Sequence, residues 1–403
     1  MTRYAPKDAV YVFFLALGVR VGGVVLTTLT DLNPDSGGDA AGFARNAAAY
    51  ASGDQSIAFF IENLGTTYPT WGFFLTPFWL LPGPSRVYAR LGVALVGAFA
   101  IYNVYLIVRY TFSKQAAMFS VAPLVVFPSF VALHSVVLRD AAILAGLVYV
   151  IRLFAVPSRW SLGIKYALVM LIIGFISLLR PENFPIYAVM GGTAAVLWGL
   201  RRRHYGAITV GGAILGVFAY FANEIARQLD LLRGHETIFE FLLFLRAARI
   251  REGGRSQYLA DITLETPLEV ALYAPQGAFY FLFSPLPWLA ESPIDYIMLV
   301  ETTIMLVFAL AGISGVVRLW QRRPQLAGAL LVGLLSAALF YGIISTNVGT
   351  SVRQRQVFSW IVFVFGGIGI AGRYHLRIIW PWDRSETSEN TDTPPETAPI
   401  ADD

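Results

Sequence analysis

The chain has 403 residues, of which 56% are hydrophobic and only 14% charged, against roughly 25% charged in soluble chains. With a mean hydropathy of +0.60, no globule of this size could cover its apolar surface, which excludes a soluble enzyme, a coiled coil and a disordered scaffold and predicts an integral membrane protein. Cysteine is absent and the four histidines, His134, His204, His235 and His375, are scattered, which excludes disulfides, thiolate nucleophiles and Fe–S or zinc–thiolate centres and argues against a zinc–histidine site.

The formal charge of +4 does not point to nucleic acid, because basic residues in a multi-pass chain mark its cytoplasmic turns. Of the 30 basic residues only Lys7, Lys114 and Lys165 are lysine. A GC-rich, halophilic prokaryote produces such a bias, and codon usage alone produces it too.

Crossing the bilayer core takes about 17 to 25 apolar residues with all backbone groups satisfied, so the spans are read as helices. The first covers 10–29, behind Arg3 and Lys7. It is too long for a removed signal peptide and lacks its small-residue cleavage site. The loop over 30–84 carries Asp31, Asp35, Asp39, Asp54 and Glu62 against Arg45, which places it outside. Within it, 68–82 is apolar but short and holds Pro69, Pro77 and Pro82, the pattern of an interfacial or re-entrant helix.

Further spans are expected at 85–109, 116–133, 140–156, 162–179, 184–200, 206–223, 296–317, 325–344 and 356–372, about ten crossings in all. Parity puts Arg109, Lys114, Arg152, Arg159, Lys165, Arg201 to Arg203, Arg318, Arg322, Arg323, Arg373 and Arg377 on the side of the N-terminus. Both termini are therefore expected in the cytoplasm. The outer turns mix signs. A long outer loop at 224–295 alternates acids and arginines and reads as amphipathic surface helices, a Gly/Arg-rich turn at 251–255 and a proline-broken re-entrant segment at 271–290. Residues 381–403 are acidic and Pro/Thr-rich, a disordered cytoplasmic tail. The expected architecture is thus an all-α polytopic membrane protein with one transmembrane domain over 1–380, interfacial helices in its outer loops, and no convincing internal repeat.

Charges near the outer ends of spans are the candidates for chemistry. In Asp35-Ser-Gly-Gly-Asp39-Ala-Ala-Gly-Phe43, Asp39 can cap a helix of small residues while the glycines let backbone approach a ligand. The plainer reading makes Asp39 an N-cap and Asp31 and Asp35 solvated acids. Arg139 beside Asp140 and Arg180 beside Glu182 read equally as local ion pairs. Arg353 and Arg355 sit on the outer side against the charge rule, which favours a functional reason. His134 reads first as a hydrogen-bonded interfacial histidine, and Arg249, Arg251 and Arg255 as a solvated face. The small-residue run from Gly366 to Gly372 reads as a helix-packing seam.

Asp39 with Phe43 and Ala47 at four-residue steps, then Tyr68-Pro69, Leu81-Pro82-Gly83, Arg90, Phe127-Pro128-Ser129 and Ser135-Val-Val-Leu-Arg139-Asp140 follow one another in an order that resembles the GT-C superfamily of membrane glycosyltransferases. The likeness covers 8–156. Beyond it, Leu179-Arg180-Pro181, Ser284-Pro285-Leu286-Pro287-Trp288 and Asn347 to Arg355 resemble pieces of prokaryotic multi-pass relatives. Phe43 stands where tyrosine is common, and no large soluble C-terminal domain follows.

The resemblance implies a GT-C-like fold and transfer of a sugar from a polyprenyl- or dolichyl-phosphate donor to a glycan, lipid or protein acceptor outside the cell. It makes Asp39 the base, with Asp35 as second carboxylate, and Asp35 and Asp39 the ligands if a divalent cation, Mg2+ or Mn2+, is used. Cations would stabilise the departing lipid phosphate, and bidentate guanidiniums suit it best: Arg139, Arg180, Arg353 and Arg355. Tyr68, His134, Glu182 and Asn347 are the candidate substrate contacts. Three rivals stand beside it: a polymerase or ligase of lipid-linked oligosaccharides; a transporter or flippase of a charged lipid or solute, which predicts polar residues in mid-span and inverted repeats; and a purely structural membrane partner, which gives no reason for the one-sided charge. The discriminating geometry is whether Asp39 and Arg353/Arg355 line one cavity.

Overall fold

The computed structural model describes residues 6–30, 38–81, 84–228, 234–253 and 256–373. Asp31, Asp35, Arg255 and the acidic tail lie outside them. Among the described residues the chain is helical, with one isolated β-bridge between Gln257 and Asn347. In chain order the helices are α1 (Lys7–Leu29), α2 (Asp39–Ser52), α3 (Ile57–Glu62), α4 (Thr67–Leu80), α5 (Arg86–Thr111), α6 (Lys114–Val126), α7 (Pro128–Leu133) and α8 (Asp140–Ala155). They continue with α9 (Leu162–Leu179), α10 (Phe184–Arg202), α11 (Tyr205–Gln228), α12 (Ile238–Glu252), α13 (Pro267–Phe283), α14 (Pro293–Arg322), α15 (Pro324–Ile344) and α16 (Val348–Ala371).

Six helices, α1, α5, α9, α14, α15 and α16, are long and apolar enough to cross a membrane. The other four expected spans take different forms. The segment at 116–133 is two helices, because Pro128 opens α7 and holds Phe127 extended, as a residue before proline prefers. The segment at 140–156 is α8, with 16 residues. Those at 184–200 and 206–223 become α10 and α11, and α11 runs on to Gln228, into the expected outer loop.

Helix starts follow local chemistry. Ser85, Ser113, Ser161, Thr237 and Asn347 accept from backbone N–H groups of the first turn, and Thr266 with Glu269 and Ser292 with Asp295 form capping boxes, each satisfying donors that the helix leaves open.

The centre of the molecule is α16, 94% buried over its most apolar 18 residues, whereas the same measure for α9 is 11%. It packs on α14 through glycines: a methyl group built on Gly315 would overlap the Phe365 carbonyl, and one on Gly369 the Ala311 carbonyl. Lipid is as apolar as a leucine side chain, so close backbone approach of this kind replaces the hydrophobic effect as the driving force for association. The expected seam at 366–372 therefore faces α14 through Gly366 and Gly369 and α6 through Gly367, where a methyl group would overlap Ser120.

One surface expectation is corrected. Arg246, one of the arginines in the segment expected to form amphipathic surface helices, is buried and donates to Tyr273 Oη at 2.9 Å and to the carbonyls of Ile343 and Ile262 at 3.0 and 3.1 Å. It ties α12 and the following loop to the end of α15, a role that helical periodicity alone does not reveal.

Candidate functional site

The chain returns to one end of the bundle at the start of α2, the start of α8, the end of α9 and the first turns of α16. There the side chains at these positions meet. The lead-in residue Gly38 has φ 74°, a conformation glycine adopts without strain. Asp39 is the first residue of α2 and does not cap it. Its two oxygens instead accept from Tyr68 Oη at 2.7 Å and from Arg353 Nη1 at 2.5 Å.

Tyr68 reaches Asp39 because Gly42, one turn further on, leaves room for its ring; a Cβ at Gly42 would overlap it. The ring also lies 5.3 Å from that of Phe43, four residues after Asp39 on the same helix face.

Arg353 bridges two acids. Its Nε donates to Asp140 Oδ2 at 3.0 Å, while Asp140 Oδ1 lies 2.9 Å from Arg180 Nη2. The Asp140 side chain is 1% exposed and that of Arg180 5%. Arg180 is also 3.6 Å from Glu182, whose side chain is 35% exposed. Arg139 donates to the Leu179 carbonyl, and its guanidinium lies 6.0 Å from the Phe43 ring centre. So Asp140 pairs with Arg180 and Arg353 from distant helices and not with its neighbour Arg139, and Arg180 takes Asp140 as a closer partner than Glu182.

Three guanidiniums and three carboxylates form this network, and two buried donors in it, Arg139 Nε and Arg180 Nη1, have no hydrogen-bond partner. Burial works to raise the Asp39 carboxyl, but the charge of Arg353, the bonds from Tyr68 and Arg353 and the charge of Arg139 outweigh it and hold the group below its ordinary value. Burial, followed by repulsion from Arg180, pushes Arg139 down to about 10, so it stays a cation at neutral pH.

Other candidates lie elsewhere. Arg355 is buried and donates to the carbonyls of Leu282 and Ser284; residues i and i+2 on a helix face away from each other, so Arg353 and Arg355 cannot serve one site. His134 is fully buried, its Nδ1 accepting from Arg20 Nε at 3.3 Å. Asn347 caps α16 and donates to the Gly253 carbonyl. Asp35, the second carboxylate and proposed Mg2+ or Mn2+ ligand, lies outside the described residues, among which no group of three His, Asp or Glu is placed to hold a metal ion.

Three buried charges escaped the sequence reading. Asp140, which in sequence reads equally as a local partner of Arg139, is the hub that pairs with Arg180 and Arg353. Arg20, in α1, is fully buried and also donates to the Leu124 carbonyl at 3.0 Å; its signal was a lone arginine inside an apolar span. Glu301, in α14, carries the same signal.

No protein-family model, curated protein or solved structure matches the chain.

Proposed function

We propose that the protein is a membrane glycosyltransferase of GT-C type, moving a sugar from a polyprenyl-phosphate donor to an acceptor hydroxyl at the extracytoplasmic face. In this reading α6 with α7, α8, α10 and α11 join the six long apolar helices to make about ten crossings. Both termini are then cytoplasmic, and Asp39, Asp140, Arg180 and Arg353 face outward. The observation that carries the proposal is the Arg353 bridge between Asp39 and Asp140, with unfilled donors on Arg139 and Arg180 beside it. Buried donors without acceptors are rare in folded proteins, and a phosphate oxygen is the acceptor that guanidinium geometry fits best.

The chemistry follows from the pairing. At rest Asp39 is held by Arg353 and is a weak base. A donor phosphate seated against Arg139 and Arg180 competes for Arg353 and releases the Asp39 carboxylate. The acceptor oxygen then attacks the anomeric carbon, its proton passes to Asp39, and the bond from that carbon to the phosphate oxygen breaks. The negative charge left on the lipid phosphate is taken up by the arginines. Tyr68, bonded to Asp39, orients the carboxylate, and the partly exposed Glu182 beside Arg180 meets sugar hydroxyls.

The test is transfer from a radiolabelled polyprenyl-phosphate sugar by the protein in nanodiscs. Asp39→Asn is expected to abolish release of polyprenyl phosphate while donor binding persists, and Arg353→Gln to weaken donor binding. Unchanged release by Asp39→Asn overturns the assignment of the base. One observation favours a second reading, transport or flipping of an anionic lipid: Arg20 and Glu301 are buried within long apolar helices, where a transporter is expected to carry charge. Donor movement across the bilayer without bond cleavage would select it.

A further inference from the structure

A second polar cluster, separate from the Asp39 network, lies where α7, α14 and α16 meet. Glu301 is 4% exposed, and its Oε1 accepts from the Ser129 backbone N–H at 2.8 Å, at the break between α6 and α7. Its Oε2 has no hydrogen-bond partner. On the facing turns of α16, Gln356 and Ser359 are 2% and 1% exposed, and Gln356 Nε2, Gln356 Oε1 and Ser359 Oγ are likewise without partners. All three residues line one cavity of about 10 Å³, together with Arg355 and Met305. Among the described residues no ion pair joins Glu301 to Arg355.

Four buried polar atoms around one small space call for an occupant. The cavity is at the lower limit for a single water, which makes two to four hydrogen bonds. A cation would satisfy the oxygens but leave the Gln356 Nε2 donor open, and would add positive charge beside Arg355. Water both donates and accepts. We propose that this cavity is a binding site for one ordered water, which bridges Glu301 Oε2 to the side chains of Gln356 and Ser359. The carboxylate of α14 and the guanidinium of α16 thereby share a hydrated pocket inside the apolar bundle. Helix α16 carries Arg353 toward the ion network and Arg355 toward this water. The site does not depend on the proposed transfer reaction.

Hydroxyl-radical footprinting by synchrotron X-rays on the full chain in nanodiscs tests it, because radicals generated from a bound water oxidise side chains beside it even when bulk solvent cannot reach them. Met305 lines the cavity at 3% exposure, and Met190, at 5%, packs against Gly333, away from this polar cluster, and serves as the internal control. The expected result is that Met305 oxidises at least five times faster than Met190. Equal or slower oxidation of Met305 overturns the proposal. In a Gln356→Leu, Ser359→Ala variant that still folds, as judged by circular dichroism, the excess at Met305 is expected to disappear; an undiminished excess also overturns the proposal. The comparison of the two methionines in the unaltered protein needs no variant.

Discussion

Asp140→Asn tests the ion network most directly. The carboxylate is 1% exposed and faces Arg180 at 2.9 Å and Arg353 at 3.0 Å, with side chains 5% and 16% exposed. The amide keeps the shape, but it turns an N–H group toward one guanidinium and removes the charge that compensates both. Stranding a buried charge costs about 3–5 kcal/mol. Arg353 retains Asp39, and Arg180 retains Glu182 at 3.6 Å, so the lower end, about 3 kcal/mol, is expected. A milder comparison exists at the other end of the bundle: Asp8 is buried too, but its partner Arg109, at 3.2 Å, has a side chain 37% exposed that can turn to solvent, and an amide oxygen can still accept from Tyr105 Oη, now 2.8 Å from Asp8, so Asp8→Asn is expected to cost less, about 1–2 kcal/mol. The assay is reversible SDS unfolding in mixed micelles, followed by circular dichroism. The double variant Asp140→Leu with Arg180→Met removes both buried charges of one pair and is expected to be more stable than Asp140→Asn by about 1–3 kcal/mol. If Asp140→Asn costs no more than Asp8→Asn, the network does not neutralise buried charge and the reasoning fails.

Three further outcomes follow from the same geometry. Because Asp39 is held below its ordinary value of 3.8, its contribution to stability is complete above that pH and is lost as the pH falls through the depressed folded-state value. Acid unfolding of Asp39→Asn compared with the parent should therefore differ most near neutrality and progressively less as the pH falls below 3.8; a difference that grows toward acid pH would reverse the sign. Gly315→Ala should destabilise α14 against α16 by about 1–3 kcal/mol through overpacking, measured in the same SDS titration, and a neutral effect would show that the seam is not tight. Arg353→Gln should weaken binding of a polyprenyl-phosphate analogue per folded molecule, whereas Arg355→Gln, which frees the carbonyls of Leu282 and Ser284, should lower folded yield and leave binding per folded molecule unchanged; equal loss of binding per folded molecule would mean that the two arginines do not serve separate sites.

Composition and hydropathy alone determined the class of protein. An apolar chain with so few charges satisfies its backbone in a membrane only as helices or a closed barrel, and the boundaries of α1, α5, α9 and α15 follow closely from stretches of apolar residues ended by charges, whereas α16 starts at Val348, eight residues before the expected span, and takes the expected outer turn into its first turns. Asp39, Arg139, Arg180 and Arg353 were also legible one at a time, since charges at span ends on the face opposite the basic turns are conspicuous. Their partners were not. Asp140 and Arg353 lie 213 positions apart, and no local pattern distinguishes an aspartate that neutralises its neighbour from one that neutralises two distant helices. Arg355 turns away from Arg353 because the expected turn is helix, but only the tertiary structure buried Arg246 under the loop after α12 and drew Glu301 and Gln356 around a common space. Helical periodicity specifies which face a residue occupies, but in a membrane bundle the identity of the facing helix is set by close packing of small residues and by the need to pair every buried charge, and both of those are properties of the assembled fold.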